Sequence, residues 1–356
     1  MILRISRCIC FFYLILLTTA ELDFHSSCRN SGPDKAIFGD ASPRLTSAFN
    51  VAKIMAGHAY TRLNLLMTDK SKLSNTEIVR IYKLLTAWFI PPFIGDSNEP
   101  PWSRKPNRPG YQTTVENLRR VITILADADE SKMPRIFCGV TYAPEDDPSI
   151  PPWRLAGSVQ KFTLNFTNNP ATPILDKGRP SFEYYNFLIF GVVERMGVGF
   201  RMCPPRRYAV TAISKRWKVW CPGVWQSIRS TTLPTTWRDR AKDYNTFPFP
   251  TNQTDHWAFS VEAAMLHEMH HVYVTPTLDV QLSLPGGTVE TAYMFWGISE
   301  LASRVVVNKE YNLLWTNADS VMYFILALYL VCCDWSTGVA QSAGIDAAVP
   351  GDEAVY

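Results

Sequence analysis

The sequence has no apolar run long enough to cross a membrane as a helix. Such a helix needs about 20 apolar residues, whereas the uncharged stretch at 321–333 has 13 and that at 9–17 has fewer. The first of these is therefore expected to be a buried core helix. The stretch at 9–17 follows Arg4 and Arg7 and precedes Thr18-Thr19-Ala20, a pattern typical of a secretory signal peptide cleaved after residue 20.

The chain also lacks an excess of charge of either sign and any Gly/Ser-rich linker. Without residues 1–20, 33 Lys and Arg stand against 32 Asp and Glu, so no electrostatic argument favours a nucleic-acid partner. With 47% hydrophobic residues in 356, the chain can bury a large core. We expect one helix-rich α+β domain over 21–335, with an N-terminal portion at about 21–254 and a helical portion at about 255–335. A flexible tail is expected over 336–356.

Six of the eight cysteines remain after removal of the signal peptide. An even number in an exported protein predicts disulfides, at least two of them, although neighbours such as Cys332 and Cys333 seldom bridge each other. Asn165-Phe166-Thr167 and Asn252-Gln253-Thr254 are glycosylation sequons, which agree with export. The six cysteines are Cys28, Cys138, Cys203, Cys221, Cys332 and Cys333.

Hydrophobic periodicity predicts six helices and four short strands. The helices are expected at 45–67, from Ser74 or Asn75 to before Pro91, and at 113–128, 256–274, 291–307 and 317–333. The strands are expected at 136–142, 157–166, 208–213 and 217–221.

The helix predicted at 256–274 contains His267-Glu268-Met269-His270-His271, an instance of His-Glu-x-x-His. Two histidines four residues apart lie on one face of a helix, one turn apart, where both can bind one tetrahedral Zn²⁺. Glu268 then lies beside the ion without binding it and can take a proton from a metal-bound water. His270 projects from another face and is expected to support the site or lie at the surface.

A catalytic zinc needs a third protein ligand and an open position for water. The acidic candidates that follow His271 in the chain are Asp279, Glu290 and Glu300.

From residue 258 to about 330 the sequence resembles the deuterolysin-type aspzincin zinc metalloendopeptidases, in particular their divergent secreted fungal relatives with a lysine-specific metalloendopeptidase-like domain. Asp279 follows His271 by eight residues, Tyr293 comes later, and Asn317-Ala318-Asp319 matches an Asn-Ala-Asp motif. The resemblance implies a zincin-like fold with an active-site helix and a small β-sheet. It also implies Asp279 as third zinc ligand, Tyr293 as a donor to the oxyanion and Asp319 as a substrate-binding residue.

The sequence departs from the family pattern at three places. The family's ligand Asp lies three residues before the Tyr, a position that Glu290 occupies here. Either an inserted loop at 281–289 keeps Asp279 as the ligand, or Glu290 replaces it; Asp279 is favoured because its distance from His271 suits a tight turn. Met294 stands where the family has Gly, and Met322 stands where lysine-selective members have an acid.

These features predict a secreted zinc-dependent endopeptidase that acts on peptides or proteins, with Glu268 as general base and no membrane span after signal removal. The alternative is a secreted zinc-binding pseudo-peptidase or effector without turnover. A third hypothesis is an exported structural or adhesive protein with an accidental motif. No sequence feature indicates an oligomeric state.

Overall fold

The computed structural model describes a large part of the chain in separate stretches. The described residues are 22–24, 28–29, 38–89, 109–138, 209–212, 217–220, 225, 228, 231, 233, 253–277, 279–284, 287–308, 310 and 312–342. The predicted signal peptide, the predicted strand at 157–166, the asparagines of both sequons, Cys203 and Cys221 lie outside these stretches.

The first three helices follow the predicted periodicity. They are α1 (Ser42–Thr68), α2 (Asn75–Trp88) and α3 (Pro109–Ala126), and short 3₁₀ turns lie at Lys70–Lys72 and Glu130–Lys132. Helix α2 begins where expected because the Ser74 side chain accepts a hydrogen bond from the backbone N–H of Glu77. This bond satisfies one of the N–H groups that a helix start leaves unpaired.

The single helix predicted over 256–274 is two helices, α4 (Thr254–Ala258) and α5 (Val261–Tyr273). Between them Ser260 has an extended backbone, and its side chain accepts a hydrogen bond from the N–H of Ala263 at 3.1 Å. Ser260 therefore caps a new helix. Apolar residues continue through the break, which is why periodicity did not reveal it.

Three short strands form a mixed sheet in the order β1-β3-β2. Strand β3 (Trp217–Trp220) pairs parallel with β1 (Arg135–Cys138) and antiparallel with β2 (Ala209–Ala212). The strands predicted at 136–142, 208–213 and 217–221 are thus confirmed over the residues that the structure describes. A disulfide joins Cys28 to Cys138 at the end of β1, so the helix-rich α+β prediction and one disulfide are confirmed.

After α5 the chain forms a hairpin where a loop was expected. Strand β4 (Gln281–Ser283) pairs antiparallel with β5 (Val289–Thr291). Helix α6 (Met294–Asn308) consequently begins three residues later than predicted. It is followed by the short helix α7 (Asn312–Thr316) and by α8 (Ala318–Tyr329).

Residues at the start of the stretch expected as a flexible tail pair with other parts of the chain. Strand β6 (Cys333–Asp334) pairs with β7 (Gln341–Ser342), and Val339 forms a β-bridge with Gln253. Residues 336–342 therefore belong to the folded body, because their backbone groups are used in pairing. Cys332 and Cys333 are also paired with each other, contrary to the expectation for neighbouring cysteines.

Helix α5 lies against α1 on one side and α8 on another, with β2 and α3 also in contact. Every residue of α8 is buried, which confirms a core helix within the apolar stretch at 321–333. One hydrophobic core contains residues from both the N-terminal and the helical portions of the chain. Within the described stretches, every helix is too short or too polar to span a bilayer.

Candidate metal centre

Two histidines on α5 and one aspartate after it bring three possible ligand atoms together. The Nε2 atoms of His267 and His271 lie 3.1 Å apart, because the residues are one helical turn apart. The Oδ1 atom of Asp279 lies 3.5 Å from Nε2 of His267 and 3.2 Å from Nε2 of His271. These three residues form a group that could hold a metal ion.

The surroundings of Asp279 fit a bound cation. Its Oδ1 atom is buried and has no partner with hydrogen-bond geometry among the described residues, although both Nε2 atoms face it. A buried carboxylate oxygen without such a partner is costly unless a cation balances its charge. Two imidazole nitrogens and one carboxylate oxygen are a common ligand set for divalent transition metals.

The electrostatics of the group also favour a positive charge at this point. Burial alone would lower the pKa of His267, but the carboxylates of Asp279 and Asp319 raise that pKa well above its ordinary value. Burial would raise the pKa of Asp279, but His267 and His271 lower it below the ordinary range for a carboxyl group. Two carboxylates that face one buried imidazole favour a cation at this point, and a metal ion could supply that charge.

The side chain behind His267 is Asp319, the first-turn acid of α8. Its Oδ1 lies 2.6 Å from Nδ1 of His267, and its Oδ2 accepts a hydrogen bond from the backbone N–H of Met294 at 2.8 Å. Asp319 is only 7% exposed, so both oxygens are used inside the protein. The structure therefore places Asp319 behind His267, and the substrate-binding role that the family resemblance implied for Asp319 stays a prediction.

The side chains behind His271 are a threonine and a second histidine. Thr277 Oγ1 lies 3.1 Å from Nδ1 of His271 and 2.9 Å from Nδ1 of His270. The other nitrogen of His270 lies 3.1 Å from the carbonyl oxygen of Trp315, and burial, followed by the nearby His271, lowers the pKa of His270 to about 3.

A neutral His270 fixes the direction of each hydrogen bond in this chain of groups. Its Nε2–H donates to Trp315, because a carbonyl can only accept, and its Nδ1 then accepts from the Thr277 hydroxyl. The hydroxyl oxygen of Thr277 is left to accept from Nδ1–H of His271. A neutral His271 that carries this Nδ1–H leaves its Nε2 unprotonated, which is the tautomer that a metal requires.

Glu268 and Tyr293 complete the surroundings of the three converging atoms. Glu268 is buried, at 4% exposure, on the same helix as the two histidines, and it is not one of the three residues of the group. The Tyr293 ring lies 5.9 Å from the His267 ring, centroid to centroid, and remains 38% exposed. Burial of its hydroxyl end and the Asp279 carboxylate raise the pKa of Tyr293, so the phenol stays protonated and able to donate.

Asn317 holds the two segments that bring Asp279 and Tyr293 together. Its Oδ1 accepts from the N–H of Val280 at 3.1 Å, and its Nδ2 donates to the carbonyl of Ala292 at 3.2 Å. The N–H of Ala292 in turn donates to the carbonyl of Val280. The hairpin β4–β5 closes at this point, so Asp279 and Tyr293 become neighbours although they are fourteen positions apart in the sequence.

The comparisons with known proteins give no match. No protein-family model, no curated protein and no solved structure is similar to the chain at a significant level.

Among the acidic candidates, the structure brings only Asp279 to the two histidines within the stretches it describes. Glu290 lies on β5 opposite Leu282 and is exposed. Glu300 lies on α6 and forms an ion pair with Arg304.

The sequence analysis gave no role to Thr277 or Asn317. Asn317 was visible only as the first letter of the Asn-Ala-Asp motif, and Thr277 had no signal beyond its position two residues before Asp279.

Proposed function

We propose that this protein is an exported zinc-dependent endopeptidase of the deuterolysin type, with a zincin-like fold. The observation that carries the proposal is the convergence of His267, His271 and Asp279, with Glu268 on the same helix. Zinc suits this ligand set because it accepts two imidazoles and a carboxylate and keeps a fourth position for water. Bound there, zinc would lower the pKa of that water toward 7 and polarise a peptide carbonyl.

Glu268 is the general base of the proposed reaction. It adjoins the first histidine of the group in sequence and is buried on the same helix. It takes a proton from the attacking water as the new carbon–oxygen bond forms, and it then gives that proton to the leaving amine as the carbon–nitrogen bond breaks.

Tyr293 and the groups behind the histidines have separate roles. The protonated phenol of Tyr293 donates a hydrogen bond to the oxygen that gains negative charge in the transition state. Asp319 holds the His267 ring, and Thr277 holds the His271 ring, each through Nδ1. Such partners fix the ring orientation and the tautomer of a ligand histidine.

The second candidate is a zinc-binding pseudo-peptidase or effector without turnover. Met294 and Met322 favour it, because both stand at positions where the family resemblance expects residues that shape the substrate site.

The variant Glu268→Gln separates the two functions. We expect it to keep the zinc content of the unmodified protein and to lose peptide hydrolysis, because Gln cannot accept the proton. Zinc is measured by elemental analysis of purified protein, and hydrolysis is measured with a quenched fluorescent peptide mixture, with and without a chelator.

Glu290→Gln is the matched control, since it makes the same chemical change on the exposed strand β5. Equal hydrolysis by Glu268→Gln and unmodified protein would refute the mechanism, and absence of hydrolysis by the zinc-loaded unmodified protein would favour the pseudo-peptidase.

A further inference from the structure

Exposed apolar side chains gather in one short segment beside the metal centre. Four large hydrophobic residues between 289 and 296 are exposed: Val289 at 59%, Tyr293 at 38%, Met294 at 39% and Trp296 at 52%. In the rest of the described chain only three others are exposed, namely Ile54, Ile124 and Val339. Single exposed apolar residues are ordinary, whereas a contiguous group of them is typical of a binding surface.

Met294 holds its place in this segment at a conformational cost. Its φ is 61°, in the left-handed region that glycine adopts freely and that other residues adopt only at a free-energy cost. Among the described residues, Met294 is the only non-glycine residue with a positive φ. Backbone strain of this kind is often found at functional sites.

The fold uses the backbone of Met294 but gains little packing from its side chain. The Met294 N–H donates to Asp319, a bond that glycine would make equally well. The next residue, Phe295, packs against the hydrophobic core and lies close to Gly338. Met294 itself is exposed, so its side chain is available to a ligand.

The positions that would recognise a basic side chain are not available. Both oxygens of Asp319 are occupied by His267 and Met294. Met322, which follows Asp319 by three residues in α8, is 4% exposed and carries no charge. The nearest exposed acid in this segment by sequence is Glu290 on β5.

We propose that Tyr293, Met294 and Trp296 form an apolar subsite, which accepts a bulky apolar side chain of an extended peptide next to the bond that is cleaved. This proposal rests on the proposed function for the identity of the ligand as a peptide. The subsite adjoins the metal centre through Tyr293, whose ring contacts His267. Met294 and Trp296 lie in the first turn of α6, directly after Tyr293 in the chain, and both are exposed.

The test uses two short peptides, each with a hydroxamate group that binds zinc, and identical except for one side chain, leucine or lysine. Binding to the zinc-loaded protein is measured by competition, so the result does not depend on turnover. We expect the leucine peptide to bind about 10-fold or more tightly than the lysine peptide, since burial of a few methylene groups gives a difference of this size.

Two variants and one control test the assignment of residues. Trp296→Ala and Met294→Gly should each remove most of the preference for leucine while zinc affinity stays unchanged. Met294→Gly should keep a melting temperature at or above that of the unmodified protein, because glycine relieves the positive φ. Ile54→Ala removes an equally exposed apolar side chain from α1 and should leave the preference unchanged.

The possible outcomes separate this inference from the proposed function. Tighter binding of the lysine peptide, weakened by Glu290→Gln, would overturn the apolar subsite and leave the peptidase proposal standing. An unchanged preference in both Trp296→Ala and Met294→Gly would also overturn the subsite. Failure of the zinc-loaded protein to bind either peptide would count against the proposed function itself and would remove the subsite with it.

Discussion

The two histidines of the candidate metal centre present the same atom to Asp279 but are supported in different ways. Behind His267 stands the carboxylate of Asp319, at 2.6 Å. Behind His271 stands the neutral hydroxyl of Thr277, at 3.1 Å. A charged partner holds an imidazole more strongly than a neutral one, so the two sides of the site should respond differently to substitution.

The two supports also connect the site to different parts of the fold. Asp319 binds the backbone N–H of Met294, so it links His267 to the segment that contains Tyr293. Thr277 leads instead to the buried His270 and the carbonyl of Trp315. One side therefore joins the candidate metal centre to the segment that contains Tyr293, and the other anchors it in the core.

The largest effect is expected from removal of the residue that both histidines face. Asp279→Ala should lower zinc affinity by more than the roughly 100-fold that loss of a supporting partner costs at most. Zinc affinity is measured by competition with a chromophoric chelator. Glu290→Ala is the control and should compete for zinc as well as the unmodified protein. The opposite pattern in the two variants would assign the third ligand to Glu290.

The next largest effect is expected at Asp319. Asp319→Asn removes the charge behind His267 and places a side-chain amide beside the N–H of Met294, so zinc affinity should fall by about 100-fold. Hydrolysis at saturating zinc should also fall, because the Tyr293 segment loses its anchor. Chelator competition and steady-state kinetics measure the two effects separately. Unchanged zinc affinity would show that Asp319 does not support His267.

A smaller effect on zinc affinity is expected at Thr277, which lies behind His271. Thr277→Val keeps the shape of the side chain but removes the hydroxyl between His271 and His270, and zinc affinity should fall by about 10-fold. Thr277→Ser keeps the hydroxyl and should restore most of the affinity in the same competition assay. If Thr277→Val lowers zinc affinity more than Asp319→Asn does, the proposal that Asp319 supports its histidine more strongly than Thr277 does is wrong.

The smallest effect is expected on the stability of the metal-free protein as pH changes. His267 binds its proton more tightly in the folded chain than in the unfolded chain, because two carboxylates raise its pKa. The resulting stabilisation is complete below the unfolded pKa of about 6.5 and is lost as pH rises through the raised folded value. The melting temperature, measured with a chelator present, should therefore fall above about pH 6.5. Asp319→Asn should show a smaller fall, and a melting temperature independent of pH in the unmodified protein would contradict the electrostatic account.

The sequence allowed the helical half of the site to be predicted, because helical geometry is local. The spacing of His267 and His271 requires only that residues 267–271 be helical, and Ser260 and the apolar face of α5 ensure this. The placement of Asp279 could be argued only from its distance to His271. The proximity of Asp279 to Tyr293 depends on the β4–β5 hairpin and on Asn317. The Asn317 side chain binds the backbone of Ala292 and of Val280, which precede it by 25 and 37 positions in the sequence.

The role of Asp319 could not be obtained from sequence for a related reason. A motif indicates which residues recur together but not which way a side chain faces, and Asp319 faces the back of His267, 52 residues away. The hydrogen bonds of Thr277 and His270 are equally dependent on tertiary packing. The three strands of the mixed sheet were predicted from the sequence. The order of the strands in the sheet and the parallel pairing of β1 with β3 depend on long-range contacts, so they were not predicted.

The most direct test of the account is a crystal structure of the zinc-loaded protein with diffraction data collected on both sides of the zinc absorption edge. The account predicts one anomalous peak per chain, at about 2.0–2.2 Å from Nε2 of His267, Nε2 of His271 and a carboxylate oxygen of Asp279, with Glu268 nearby and not bound to the ion. A zinc peak away from the two histidines, or one bound by Glu290 in place of Asp279, would contradict it.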